Sequence, residues 1–101
     1  MKQYIDEHYY EKILLEDLSS RSGYSRTYFL KQYRKYMGTT PNEYLNSVRM
    51  EKAKTLLLTT DYPVREIAEE VGIPDVSYFI RVFRNTESST PLEYRKLFRR
   101  P

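Results

Sequence analysis

The chain contains no cysteine, which excludes disulfides and cysteine-ligated metal. It has one histidine, His8, so no set of imidazoles exists from which a metal site or a nucleophile–base pair could be built. The three glycines, Gly23, Gly38 and Gly72, stand far apart, and no glycine-rich phosphate loop can form from them. No apolar run approaches the roughly 18–20 residues of a membrane span, and no signal-peptide pattern opens the chain. Carboxylates set as a catalytic pair are missing as well. These absences lead us to expect a cytoplasmic, non-enzymatic protein with no cofactor and no metal.

What is present is a 101-residue chain, 40% hydrophobic, with a net charge of +3. Its length suits a single domain, or two very small lobes that share an element. The positive sign suits nucleic acid, although the placement of charge matters more than its sum. The stretch Thr40–Thr59 organises the rest. Thr40 is an N-cap candidate, Pro41 suits the first helical position, and Glu43 sits where a capping-box acid reaches back. No glycine or proline interrupts the following residues. Leu45, Val48, Met50, Ala53, Leu56 and Leu57 cover about half the circumference at 3.6 residues per turn, wider than one stripe facing one core. Such a helix has apolar contacts on two sides.

The chain repeats itself across that helix. Gly38-Thr39-Thr40-Pro41-Asn42-Glu43-Tyr44 returns fifty positions later as Ser88-Ser89-Thr90-Pro91-Leu92-Glu93-Tyr94. Tyr28-Phe29-Leu30 returns as Tyr78-Phe79-Ile80 at the same offset, and Leu15-Glu16-Asp17-Leu18-Ser19 as Val64-Arg65-Glu66-Ile67-Ala68 at an offset of forty-nine. The single length change falls in the turn after the glycine. Two similar units, at 1–39 and 60–101, joined by a helix at 40–59, are therefore expected.

Taken in order, Ile5 and Tyr9 predict a short amphipathic helix ending near Lys12, with Met1 in phase. Leu15 and Leu18 face inward in the next helix, which Gly23 stops. That helix has Leu14 in its N-cap slot, and its second-copy counterpart has Pro63; neither side chain can cap. Ser25 caps RTYFLKQYRKYM, in which Phe29, Tyr33 and Met37 form the inner face and Arg26, Thr27, Leu30, Lys31, Arg34 and Lys35 project elsewhere. In the second copy Val64, Ile67 and Val71 face in, and Glu66, Glu69 and Glu70 face out. Asp75 caps a helix whose inner face is Phe79, Val82 and Phe83, leaving Val76, Ser77, Ile80, Arg81 and Arg84. A capping box at Thr90–Glu93 opens a last helix to about Arg99. Two helices joined by a tight glycine-bearing turn make a helix-turn-helix, and the chain carries two. The basic end, Arg95, Lys96, Arg99 and Arg100, reads as a solubilising surface.

The run LEDLSSRSGYSRTYFLKQYRKYMGTTPNEYLNSVRMEKAKTLL, with VREIAEEVGIPDVSYFIRVFRN and TPLEYR, closely resembles the C-terminal domain of AraC/XylS-family bacterial transcription regulators. The resemblance covers most of residues 5–98. It implies an all-α fold of about seven helices, forming two helix-turn-helix units joined by a long central helix. It also implies both recognition helices in successive major-groove segments on one face of duplex DNA. The base-reading positions fall on Thr27, Leu30 and Lys31, and on Val76, Ser77, Ile80 and Arg81. Backbone-contact positions fall near Ser25, Arg34, Lys35, Arg84 and Asn85, with Arg26 among the basic residues beside them. RNA polymerase is a candidate second partner, and a separate sensing or dimerising domain often precedes this one in the family.

The chemistry of these side chains suits the roles. Arg81 can present parallel donors to guanine O6 and N7, and Lys31 can approach the same acceptors. Thr27, Leu30, Val76 and Ile80 can meet thymine methyls, and Ser77 can bond either kind of base edge. Arg34, Lys35 and Arg84 are placed for phosphates. The plainer alternatives are a solvated basic helix face and, for Leu30 and Ile80, partial burial between helices. The rival function is a helical protein-interaction module that does not bind DNA. Five positions depart from the family pattern: Ser88 replaces a usual glycine, Ile73 an aromatic, Gln32 an apolar residue, and Leu30 and Ile80 stand where small polar residues are common.

Overall fold

The computed structural model describes residues 2–11 and 15–99, without the side chains of residue 2 and residues 15–18. The described residues form seven helices: α1 (Lys2–His8), α2 (Leu15–Ser22), α3 (Arg26–Met37), α4 (Pro41–Thr59), α5 (Val64–Glu70), α6 (Val76–Glu87) and α7 (Pro91–Phe98). Expectations resting on Met1, Leu14, Leu15 and Leu18 lie outside the described residues or side chains. Local chemistry accounts for the helix starts. The side chains of Ser25, Thr40, Asp75 and Thr90 each accept the backbone N–H three residues on, at 3.1–3.2 Å. At Thr90 the box closes, since Glu93 accepts the Thr90 amide at 2.8 Å. At Thr40, Glu43 instead takes the hydroxyl, at 2.9 Å.

The central helix α4 faces two cores, as its wide apolar arc requires. Leu45 joins Ile5, Phe29 and Tyr33 in the first, while Met50, Ala53 and Leu57 join Ile67, Ala68, Val71, Ile73, Phe79 and Phe83 in the second. Ile73 is buried, so an aliphatic side chain serves where the family pattern has an aromatic. With both units strung along α4, the molecule measures 48 × 22 × 21 Å. Among the described side chains the first core is the smaller, and there the buried Tyr33 hydroxyl has no hydrogen-bond partner.

Three local expectations need correction. Helix α1 ends at His8 rather than Lys12, because Tyr9 and Tyr10 turn and their segment is held by α4. Met37 is 37% exposed, since it lies a turn beyond Tyr33 and past the edge of the small first core. The basic end is not simply a solubilising surface. Arg95 donates from Nε to the Leu57 carbonyl (2.9 Å) and from a terminal nitrogen to that of Thr60 (3.1 Å). Arg99 also reaches the Thr60 carbonyl (3.1 Å) and pairs with Asp61. These are the unpaired carbonyls of the α4 C-terminus, where cations are favoured. The same guanidinium groups hold the turn into α5, whose N-cap Pro63 makes no side-chain cap bond.

Ser88 ends α6 in the left-handed region at φ 61°, where Gly38 ends α3 at φ 74°. A non-glycine residue there costs roughly 1–2 kcal/mol, partly offset by the entropy glycine loses on folding. Ser88→Gly is therefore expected to stabilise the fold by about 0.5–1 kcal/mol in chemical denaturation. A neutral or destabilising result would show that the serine side chain compensates for its backbone.

Candidate nucleic-acid interface

The two recognition helices are built alike. In α3, Phe29 and Tyr33 turn into the first core; in α6, Phe79 and Phe83 turn into the second. The period that buries those rings leaves the intervening positions outward. Thr27, Lys31, Arg34 and Lys35 are exposed on α3, and Ser77, Arg81, Arg84 and Asn85 occupy the same repeat positions on α6, also exposed. Ser25 and Arg26 are exposed at the start of α3. Leu30, Val76 and Ile80 are half-buried, and Ile80 packs against the second core, so part of the plainer alternative holds for these apolar positions.

Charge separates the two sets of cations. Among the described residues, Lys31, Arg34, Lys35, Arg81 and Arg84 make no ion pair. Lys35 lies 5.7 Å from the ring centre of its neighbour Tyr36, and the Arg81 guanidinium carbon lies 5.5 Å from that of Tyr78. Several cations elsewhere are engaged structurally. Lys54 bridges Glu51 (2.7 Å) and Glu87 (3.3 Å), tying α4 to the end of α6, and these bonds raise its pKa. Arg49, Arg95 and Arg99 hold backbone carbonyls. His8 also has a packing role, stacked on Tyr4 with Nδ1 2.9 Å from the Tyr4 carbonyl oxygen.

The structure brings Ser77, Ile80, Arg81, Arg84 and Asn85 around one depression of about 390 Å³ on α6. Arg81 and Asn85 also border a larger open groove of about 700 Å³ between α6 and the start of α4, with Tyr44, Ser47 and Tyr78 on its walls. Tyr78 had no role in the sequence-based assignment. Its signal was there, because it repeats Tyr28 at the offset of fifty, and both rings are exposed beside the basic positions. Among the described residues no group of His, Cys, Asp and Glu is placed to hold a metal ion, and no helix is long and apolar enough to cross a membrane.

A family model described as a helix-turn-helix domain matches residues 18–97. The C-terminal domain of AraT, a response regulator from Geobacillus stearothermophilus, has the same fold, with a TM-score of 0.94 at 32% identity over 99% of this chain and 84% of that one. The chain belongs to the AraC/XylS family. This AraC/XylS domain is a sequence-specific DNA-binding domain of a transcription regulator and not a catalytic one. It is 41% identical over 98 residues to YisR, an uncharacterized HTH-type transcriptional regulator of Bacillus subtilis, covering 97% of this chain and 34% of that protein. The domain thus spans about a third of the length of these curated relatives. A further solved relative is the DNA-binding domain of AdpA, in complex with a target DNA (TM-score 0.90, 31% identity, 95% of this chain and 86% of that one).

Proposed function

We propose that this domain reads a non-palindromic, bipartite duplex site, with α3 and α6 in successive major-groove segments on one face. The observation that carries the reading is the matched set of exposed cations on the two repeat-related helices, Lys31 and Arg34 on one and Arg81 and Arg84 on the other, which make no ion pair among the described residues. The units at 1–39 and 60–101 each present one recognition helix, and α4 between them holds the pair together. Thr27, Leu30 and Lys31, with Val76, Ser77, Ile80 and Arg81, contact base edges. Ser25, Arg26, Arg34, Lys35, Arg84 and Asn85 contact the backbone. The AdpA domain on its target DNA supports this use of the fold. The reading places the protein in the cytoplasm, with RNA polymerase or a preceding sensing domain as further partners. Glu66, Glu69 and Glu70, exposed on α5, offer such a protein a surface away from phosphates.

Two substitutions test the division of roles. Arg81 lies off the Phe79/Phe83 face, so the fold should survive its loss. Arg81→Ala should weaken binding to a selected site by about 1–3 kcal/mol and relax preference at one base pair. Arg84→Ala should weaken all sequences alike, as loss of a phosphate contact does. Selection from a random duplex library with each variant distinguishes the two patterns. Uniform weakening by Arg81→Ala would demote it to a phosphate contact. No binding by the unmodified domain at low salt would leave the protein-interaction module standing.

A further inference from the structure

Beyond the DNA-facing surface, three backbone segments meet at one point. The turn after α1, Tyr9–Glu11, is gripped from α4 by Arg49, which donates from Nε to the Tyr9 carbonyl (2.7 Å) and from a terminal nitrogen to that of Glu11 (2.8 Å). Hydrogen bonds from a charged donor are shorter and stronger than neutral ones. The far side of the same turn lies against Gly72, in the turn between α5 and α6. Gly72 has φ 89°, and a Cβ there would stand 2.8 Å from the Tyr10 carbonyl oxygen and 2.9 Å from that of Tyr9. Only a residue without a side chain allows that approach. The first unit thus touches the helix-turn-helix turn of the second, backbone to backbone, and Arg49 fixes the piece that touches.

The contact lies close to the reading surface. Gly72 stands four residues before α6. Burial lowers the pKa of Arg49, and in the first turn of α6 the Tyr78 ring carries Arg81. Two units joined by one helix alone would differ in orientation whenever that helix bent. A second point of attachment removes this freedom. The repeat supplies a natural control. Arg99, fifty positions after Arg49, grips the Thr60 carbonyl at the turn before α5, and that clamp lies within α4, α7 and the turn itself.

We propose that Arg49 is a positioning residue for two-site DNA recognition: by seating the Tyr9–Glu11 turn against Gly72 it sets the orientation of α6 relative to α3. The consequence for DNA rests on the bipartite reading above; the orientation itself does not.

The test uses the absence of native cysteine. Ser20→Cys on α2 and Glu69→Cys on α5, both exposed and outside the proposed DNA surface, accept one spin label each. Without DNA, the distance distribution between the labels should be narrow, should broaden about twofold or more with Arg49→Ala, and should stay narrow with Arg99→Ala. Arg49→Met keeps an unbranched stem but has no N–H to donate to either carbonyl, and should broaden it in the same sense. That variant reports if Arg49→Ala fails to show helical circular dichroism. On DNA, the penalty for one base pair inserted between half-sites should fall from about tenfold or more to about threefold in Arg49→Ala, and hold in Arg99→Ala. Unchanged label distances in both Arg49 variants overturn the proposal. Broadened distances with a penalty-free spacing series in the unmodified domain would uphold it while overturning the bipartite reading.

Discussion

Raising salt from 50 to 200 mM should weaken duplex DNA binding by about three orders of magnitude, with a log–log slope near −5. The size follows from the number of outward cations on the two recognition helices, since a cation reading bases in the groove displaces counterions from the flanking phosphates as a backbone contact does. Lys31, Arg34, Lys35, Arg81 and Arg84 face outward and make no ion pair among the described residues. Each phosphate neutralised releases counterions and contributes about 0.9 to the slope. The modest net charge of +3 understates the effect, because several acids are engaged elsewhere: Glu51 and Glu87 pair with Lys54, Asp61 with Arg99, and Glu93 closes a helix cap. Fluorescence anisotropy of a labelled duplex across a salt series measures the slope directly. Arg84→Ala should reduce its magnitude by about one while leaving base preference intact, whereas Arg99→Ala should leave the slope alone. A slope shallower than about −2 would mean that most of these cations are only solvated helix surface.

Much of the fold was legible because it is written in short-range signals. Ser25, Thr40, Asp75 and Thr90 announce helix starts through their own hydroxyl or carboxylate, and each makes the cap bond expected of it. Phe29/Tyr33 and Phe79/Phe83 announce inward faces through spacing alone. The positions of the outward residues then follow, so the exposure of Lys31 and Arg81 could be read as well. Their contacts with bases are a matter of the bound complex and remain a proposal. What sequence reasoning missed is long-range. Arg49, Arg95 and Arg99 bond carbonyls 35–40 residues away, and a carbonyl belongs to every residue, so no residue type marks the target. The missing N-cap at Pro63 did mark a weak start, but not its remedy, an arginine from α7 that holds the preceding turn. The fifty-residue offset between Arg49 and Arg99 was the available clue. Gly72 shows the same limit. Its place in a turn is legible from glycine chemistry, while the Tyr9–Tyr10 backbone that bars a side chain there is not.

Moving the two half-sites apart by five base pairs should cost the domain nearly all the affinity that its second unit adds, on the order of 100-fold or more. Helix α4, with 19 residues, runs about 28 Å at 1.5 Å per residue, and the molecule's long axis is 48 Å. A separation of about 34 Å, one turn of duplex, therefore fits within the molecule, provided that the recognition helices are not confined to the span of α4. Because α4 gives Leu45 to one core and Met50, Ala53 and Leu57 to the other, its rotation and the orientation of both units are coupled. Lys54 to Glu87 and Arg49 to the Tyr9–Glu11 turn add further restraints on either side of it. Five base pairs turn one half-site by about half a helical turn and shift it by about 17 Å, so a unit docked on the first half faces the wrong side of the second. One inserted pair, a rotation of about 35°, should cost less, because DNA can absorb part of it by twisting. Competition with duplexes carrying zero, one, two and five inserted pairs, set against a single half-site, measures the series. Affinity for the five-pair site should drop to that of the lone half. If it matched the uninterrupted site instead, the units would swing independently on α4, or one of them would not read DNA at all.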